Sequence, residues 1–383
     1  MIFLKALSET SGNAFLLRWF IMDYKKINQL PIFFIVGIPR SGTTMLQQML
    51  DANPAVITPL ESRIIIVLKQ KYFKKRSWTN ENIDEFIEDL FAEPKFMKGW
   101  SVDRDHLTRA YRNIPLKDVK FDLLLKMVYY AYPSIYDKNE VKILGDKNPI
   151  YTIFIDEIKE IFPEAKFIHI IRDYRANIVS NRKWFPRKKI AILAQTWLIG
   201  NRVIDKQKRL SPHNFYTVRY EDLVADPEKY AREIAVFLDV DYHRTMVDFH
   251  RKTQELYVSK DKKVTNFHRE LVKTIHENII KPIHTGKIDT WKKELTPKEI
   301  AVADYICIQY AQQYRYEAMY AESGVRLRIK SLSARMRIIY DMFIIREYQG
   351  CPSWVKKLFR YTSIVLYKCF RISHIFNAEL KPK

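Results

Sequence analysis

A chain of 383 residues can hold one large α/β domain or two smaller ones, and 47% hydrophobic with 14% aromatic residues is a globular composition that can bury a sizeable core. A formal net charge of +21 calls for anionic partners, whether a polyanionic cofactor, nucleic acid or an acidic membrane surface, without choosing among them. Cys307, Cys351 and Cys369 are too few and too late in the chain for a disulfide framework or a zinc cluster, so inert thiols in a reducing compartment are expected. The first residues hold apolar pieces, 2–4 and 15–22, that Lys5, Glu9 and Arg18 interrupt. No secretory signal is expected, no run reaches the ~20 apolar residues of a spanning helix, and a cytoplasmic chain is predicted.

In chain order, the first informative stretch is Pro31 to Thr44. Ile32, Phe33, Phe34, Ile35 and Val36 predict a strand buried on both faces of a parallel sheet. Gly37, Pro39, Ser41 and Gly42 predict a tight loop, and Met45, Leu46, Met49 and Leu50 resume at helical spacing. Strand, glycine loop and helix aim free backbone N–H groups at an anion. The spacing Gly37-x4-Gly42 followed by Thr43-Thr44 is that of a P-loop, but Thr43 stands where nucleoside triphosphatases carry their lysine, which argues against a nucleotide kinase. Arg40, inside the loop, offers a fork of donors for an anion instead.

The run Pro39-Arg40-Ser41-Gly42-Thr43-Thr44 resembles the 5′-phosphosulfate loop of the sulfotransferases, which move a sulfuryl group from 3′-phosphoadenosine 5′-phosphosulfate (PAPS) to an acceptor. The resemblance implies that Arg40, Ser41, Gly42, Thr43 and Thr44 bind this cofactor. Downstream, Asp51-Ala52-Asn53-Pro54 ends the helix, Ala55 to Ile57 predict a second strand, and Glu61-Ser62-Arg63 follows. In sulfotransferases that act on protein tyrosine or glycans, a glutamate just past this strand is the general base. The run Met49-Leu50-Asp51-Ala52, a proline turn and then Glu61-Ser62-Arg63 is most similar to the tyrosylprotein branch. A hydroxyl acceptor needs such a base, an effect worth roughly 10²–10⁴ in rate. An exposed Glu61–Arg63 pair is the other reading of the same residues.

From Ser77 to Tyr136 the pattern is helical, with Ile83, Phe86, Ile87, Leu90 and Phe91, and then Leu123, Leu124, Met127 and Val128, on single faces. The aromatic residues Trp100, Tyr129, Tyr130 and Tyr132 are expected mostly in the core. Residues 142–144 predict a short strand that runs into Gly145-Asp146-Lys147-Asn148-Pro149. Cytosolic small-molecule sulfotransferases carry their histidine base here; none occurs, which favours Glu61. By the resemblance Lys147 neutralises charge developing on the sulfuryl oxygens; a solvated loop lysine is the alternative.

Lys166 to Ile171 predict another buried strand, and Arg172 with Ser180 eight residues on matches the family's 3′-phosphate site. His169 is expected to be a core histidine. Tyrosylprotein enzymes place a further arginine where Trp184 stands, with Arg182 and Lys183 as nearby substitutes. The run Arg219-Tyr220-Glu221-Asp222-Leu223 is typical of the family, and Tyr220 is placed by it near the adenine. A basic segment ending in Gly286-Lys287 and Trp291 occupies the position of the family's phosphate-closing loop but lacks its Arg-Lys pair. Lys287 is the candidate phosphate contact there, Lys281 a weaker one. Leu295-Thr296-Pro297 predicts a helix to about Tyr320, with Ile300, Ala303, Ile306, Ala311 and Tyr314 on its inner face.

The tail from Gly324 holds thirteen Lys/Arg against three Asp/Glu, and residues 325–343 and 354–376 predict basic amphipathic helices. Docking on anionic lipid and packing on the enzyme stay open. The sequence thus predicts an α/β fold, a P-loop-like parallel sheet flanked by helices, across residues 28–322, between a helical segment at 1–27 and the extension at 323–383. The resemblance implies a PAPS-dependent sulfotransferase that yields adenosine 3′,5′-bisphosphate, needs no metal and binds no nucleic acid. A small lipophilic alcohol or phenol such as a sterol is the expected acceptor, with protein tyrosine or carbohydrate as the alternative. A non-catalytic basic nucleotide- or membrane-binding module is the rival class.

Overall fold

Five consecutive apolar side chains need cover on both faces, and β1 (Ile32–Val36) receives it: none of them is more than 3% exposed. Each such burial stabilises the fold by about 1.5–3 kcal/mol. The structure, a computed structural model, describes residues 22–258 and 277–350. The expectations for residues 1–21, for the basic stretch 259–276 and for the second tail helix from Trp354 lie outside the described residues.

Around β1, β2 (Val56–Ile57), β3 (Ile143–Lys147), β4 (Lys166–Ile171) and β5 (Phe215–Arg219) complete a five-stranded parallel sheet in the order β2-β3-β1-β4-β5. The chain goes to one side of β1 for β3 and β2 and to the other for β4 and β5. The carboxyl end of β1 is therefore a topological switch point, where parallel sheets open a crevice.

Helices flank this sheet. After α1 (Tyr24–Gln29), α2 (Thr43–Asp51) follows the loop, and α3 (Ile64–Tyr72), α4 (Asn80–Phe91), α5 (Pro94–Gly99), α6 (Arg104–Arg112) and α7 (Phe121–Tyr130) fill the interval between β2 and β3. Beyond β3 come α8 (Ile155–Ile161), α9 (Tyr174–Trp184), α10 (Ile190–Leu210), α11 (Tyr220–Ala225), α12 (Pro227–Leu238) and α13 (Thr245–Val258), then α14 (Trp291–Glu294), α15 (Pro297–Ala311) and α16 (Val325–Gly350). No described helix is long and apolar enough to cross a membrane.

The chain divides into two compact units. One holds the sheet, with residues up to Asp173 and Gly200–Ile288; the other holds Tyr174–Ile199 and the residues from Asp289 onward. In the second unit, buried Asp304 organises the packing: it accepts from the Tyr174 hydroxyl and from the N–H groups of Met319 (2.7 Å) and Tyr320 (2.9 Å). This fold-back corrects the predicted extent of α15, which ends at Ala311; Arg315 turns the chain at φ 59° in the left-handed region. Ile300, Ala303, Ile306 and Ala311 are buried as expected, whereas Tyr314 is only partly so.

A second correction concerns β3. The prediction of 142–144 stops too early, because Gly145, Asp146 and Lys147 are poor strand formers, yet pairing to β1 carries the strand through Lys147. Asp146 is consequently fully buried, with the Tyr129 hydroxyl donating to it. Burial raises its pKa to about 7, against the opposing pull of hydrogen bonds from Tyr129 and Tyr151 and the charge of Lys147. The aromatic residues of the insertion are core as expected: Trp100, Tyr129 and Tyr132 pack edge-on in the interior.

The loop after β1 is fixed by what surrounds it. Gly37 has φ 154°, and a Cβ there would lie 2.5 Å from the Ile170 carbonyl oxygen. Gly42 has φ 98°, and its Cβ would lie 2.6 Å from the Tyr220 ring. Gly42→Ala is therefore expected to lower stability by about 1–3 kcal/mol, read as a fall in the denaturation midpoint.

Asp146 makes a second prediction. Its folded pKa lies above the unfolded carboxyl value, so its stabilising contribution is complete below about pH 4 and is lost as pH rises through about 7. Asp146→Asn keeps an acceptor for Tyr129 and should reduce the fall in melting temperature between about pH 5 and about pH 8; an unchanged pH dependence would count against a neutral buried carboxyl.

Candidate active site

Between Gly37 and Thr43 the loop is built from both flanks. The Gly37 N–H donates to Thr152 Oγ1 at 3.2 Å, and Ser41 N–H donates to the Ile38 carbonyl at 3.2 Å. Arg40 sits at the apex with φ 73°, a left-handed conformation costing about 1–2 kcal/mol for a residue with a Cβ. Such strain concentrates where function needs it. Ser41 and Thr43 are buried, Gly42 and Thr44 partly exposed, so the loop presents backbone and hydroxyl donors around the amino end of α2.

Arg172, at the carboxyl end of β4, ties three parts of this unit together. Its guanidinium donates to the Arg40 carbonyl at 3.2 Å and the Lys287 carbonyl at 2.7 Å, and its carbon lies 4.4 Å from the centre of the Tyr220 ring. Tyr220 opens α11 and is the ring that closes off Gly42. Arg40 and Arg172 feel each other electrostatically: burial lowers the Arg40 pKa first, the Arg172 cation lowers it further, and Glu61 pulls the other way. Two guanidinium groups gathered beside a glycine loop suit a phosphate or sulfate.

The third cation stands at the end of β3. Lys147, with its side chain 4% exposed, donates to Glu61 Oε1 at 2.7 Å and to Thr44 Oγ1 at 3.3 Å. It is neither a loop residue nor solvated, so the alternative reading of Lys147 falls. Glu61 pairs with it, rather than only with a neighbour on its own segment, and its second oxygen meets Lys95 Nζ of α5 at 3.4 Å. The segment that carries Glu61 is held on either side. Trp100 Nε1 donates to the Leu60 carbonyl at 2.8 Å, Asn148 Nδ2 and the Tyr151 hydroxyl donate to the Ser62 carbonyl at 2.8 and 3.1 Å, and Ser62 Oγ donates to Glu93 at 2.9 Å.

Of the residues marked by sequence, the structure brings together Arg40, Ser41, Gly42, Thr43, Thr44, Glu61, Lys147, Arg172 and Tyr220. Lys287 reaches the cluster through its carbonyl, with the side chain exposed, and Lys281 is exposed as well. Ser180 lies on α9 in the second unit and is partly exposed; its sharing of an anion with Arg172 is an expectation carried by the sequence. Arg182 and Lys183, the substitutes considered near Trp184, pair with Glu299 at 2.9 Å and Glu294 at 3.1 Å within that unit. His169 is a core residue: its Nε2 lies 2.9 Å from Asn201 Oδ1, and burial lowers its pKa to about 4. Lys95 and Thr152 were not legible as site residues, since nothing in their own neighbourhoods marks a contact made across 34 and 115 positions. Among the described residues no group of His, Cys, Asp and Glu is arranged to hold a metal ion.

Comparison with known proteins places this arrangement. The model of the sulfotransferase family matches residues 31–244. A protein-tyrosine sulfotransferase of Drosophila melanogaster is 26% identical over 70% of this chain and 48% of its own length. Protein-tyrosine sulfotransferase A of Caenorhabditis elegans is 26% identical over 72% of this chain and 65% of its own length. The chain thus spans about half to two thirds of these relatives. Among solved structures, the sulfotransferase domain from the Synechococcus PCC 7002 olefin synthase shares the fold, with a TM-score of 0.50 and 24% identity over 75% of this chain and 95% of that one. With the loop, the β3 lysine and the β4 arginine in place, the chain belongs to the sulfotransferase family.

Proposed function

We propose that this protein is a PAPS-dependent sulfotransferase acting on a hydroxyl group, with the phenolic hydroxyl of a protein tyrosine as its acceptor. One observation carries the reading: a single buried ammonium, Lys147, holds the carboxylate of Glu61 on one side and the Thr44 hydroxyl of the anion loop on the other. Base and anion site are thereby set within one side chain's reach. The tyrosine acceptor is supported by Glu61-Ser62-Arg63 and by the protein-tyrosine sulfotransferases among the relatives. They favour it over the small lipophilic acceptor expected from the sequence.

The residues present fit the cofactor. Glycine backbone that no Cβ can enter, hydroxyls at Ser41, Thr43 and Thr44, and the Arg40–Arg172 pair make a site for a doubly phosphorylated anion. Arg40, Ser41, Gly42, Thr43 and Thr44 would hold the 5′ end, Arg172 the 3′-phosphate, and Tyr220 the adenine. PAPS supplies the sulfuryl group and leaves as adenosine 3′,5′-bisphosphate.

The protein's own part is proton and charge management. Glu61, paired with Lys147 at 2.7 Å and Lys95 at 3.4 Å, can accept a proton from a hydroxyl placed against it. Protonation removes the carboxylate's charge, so Lys147 loses an anionic partner as negative charge grows at the loop, and its ammonium is available to stabilise that charge.

Glu61→Gln should lower turnover roughly 10²–10⁴-fold while affinity for adenosine 3′,5′-bisphosphate stays near that of the parent, measured by transfer of labelled sulfate to a tyrosine peptide and by calorimetry. Full activity in that variant would place the base elsewhere. The same assay with a sterol or a simple phenol in place of the peptide separates the acceptors; faster transfer to the small molecule would overturn the tyrosine assignment.

A further inference from the structure

α16 carries two apolar faces, and only one of them is used. Ala334 and Ile338 are buried, and Gln195 Nε2 donates to Ser331 Oγ at 3.0 Å, so this side is docked within the second unit. On the other side Val325, Ile329, Leu332, Met336, Ile339 and Phe343 are between 46% and 72% exposed. At 3.6 residues per turn these six fall within about a quarter of the helix circumference, a stripe about 27 Å long. Tyr340, 59% exposed, widens it.

Cations border the stripe on both sides. Arg328 and Arg335 flank one edge, Arg326, Lys330 and Arg337 the other, and all five are exposed. Asp341 is turned toward the docked side, where it accepts from Arg337 Nε at 3.0 Å and feels the charge of Lys188. The outward face from 325 to 343 therefore presents apolar and basic side chains with no carboxylate among them. A second copy packed along this seam would bring Arg328 and Arg335 against like charges. A surface that offers hydrocarbon below and anionic headgroups above matches both features at once.

We infer that α16 is an interfacial helix that seats the protein on an anionic lipid bilayer, its stripe from Val325 to Phe343 entering the headgroup boundary and its flanking arginines meeting the lipid charge. The surface shares no residue with the candidate active site, so the inference does not depend on the acceptor assigned there.

Co-sedimentation of the full chain with vesicles of phosphatidylcholine alone, or with about 30% phosphatidylglycerol added, reads this directly. Binding is expected to the anionic vesicles and to weaken with salt. The triple variant Leu332→Glu, Met336→Glu, Phe343→Glu should cut it at least about tenfold, and Arg328→Gln with Arg335→Gln by about 30-fold, both with parental helicity and melting. Should the triple variant melt early, the arginine pair decides, because both residues are exposed. Unchanged vesicle binding in the variants would move the contact elsewhere, residues 351–383 included, and overturn the inference. So would absence of vesicle binding, or a dimer in sedimentation velocity that the triple variant dissolves while vesicles bind neither form.

Discussion

The tightness of the turn between Val36 and Thr43 governs everything at the carboxyl ends of the strands. β1 is buried on all sides, so it cannot shift; the Ile170 carbonyl of β4 closes one side of the turn and the Tyr220 ring closes another. Within that space only glycine fits at positions 37 and 42, and the chain must pass through a left-handed Arg40 to reach α2. The cations that surround this turn are drawn from positions the sheet order has already set: Arg172 follows β4 and Lys147 ends β3. The anion site is therefore a consequence of topology before it is a matter of particular side chains.

Charge then divides the work. Burial, and after it the nearby Arg172 cation, lowers the Arg40 pKa, while Arg172 itself bonds two carbonyls and stacks over Tyr220. Lys147 is deeply buried and stays tolerable because Glu61 and Thr44 receive it. Removing Glu61 would leave the buried Lys147 ammonium without its carboxylate partner, so positioning and stability are coupled at this site. The donors that hold Leu60 and Ser62 keep the Glu61 segment from relaxing toward solvent.

Much of this was written in the sequence. The apolar run of β1, the glycine spacing and the lysine missing from position 43 define an anion loop that is not a triphosphatase loop, and the ordered companions Glu61, Lys147, Arg172 and Tyr220 followed from the family resemblance. Other features were hidden for physical reasons. β3 continues through Gly145-Asp146-Lys147 because neighbouring strands override weak local propensity. α15 stops at Ala311, and Asp304 captures the chain eight and nine residues past that end, a contact that no local pattern announces. Lys95 reaches Glu61 only through the packing of the helical insertion. The tail was legible as basic and amphipathic, but which of its apolar faces is docked and which is open depends on tertiary packing.

Calorimetric titration of adenosine 3′,5′-bisphosphate beside ATP, in the parent protein and in Arg172→Ala, tests the central claim most directly. The account predicts binding of the bisphosphate in preference to ATP, weakened by about tenfold to a hundredfold in the variant, as expected for losing a charged donor to a phosphate. Equal or tighter binding of ATP, or a bisphosphate affinity indifferent to Arg172, would contradict it.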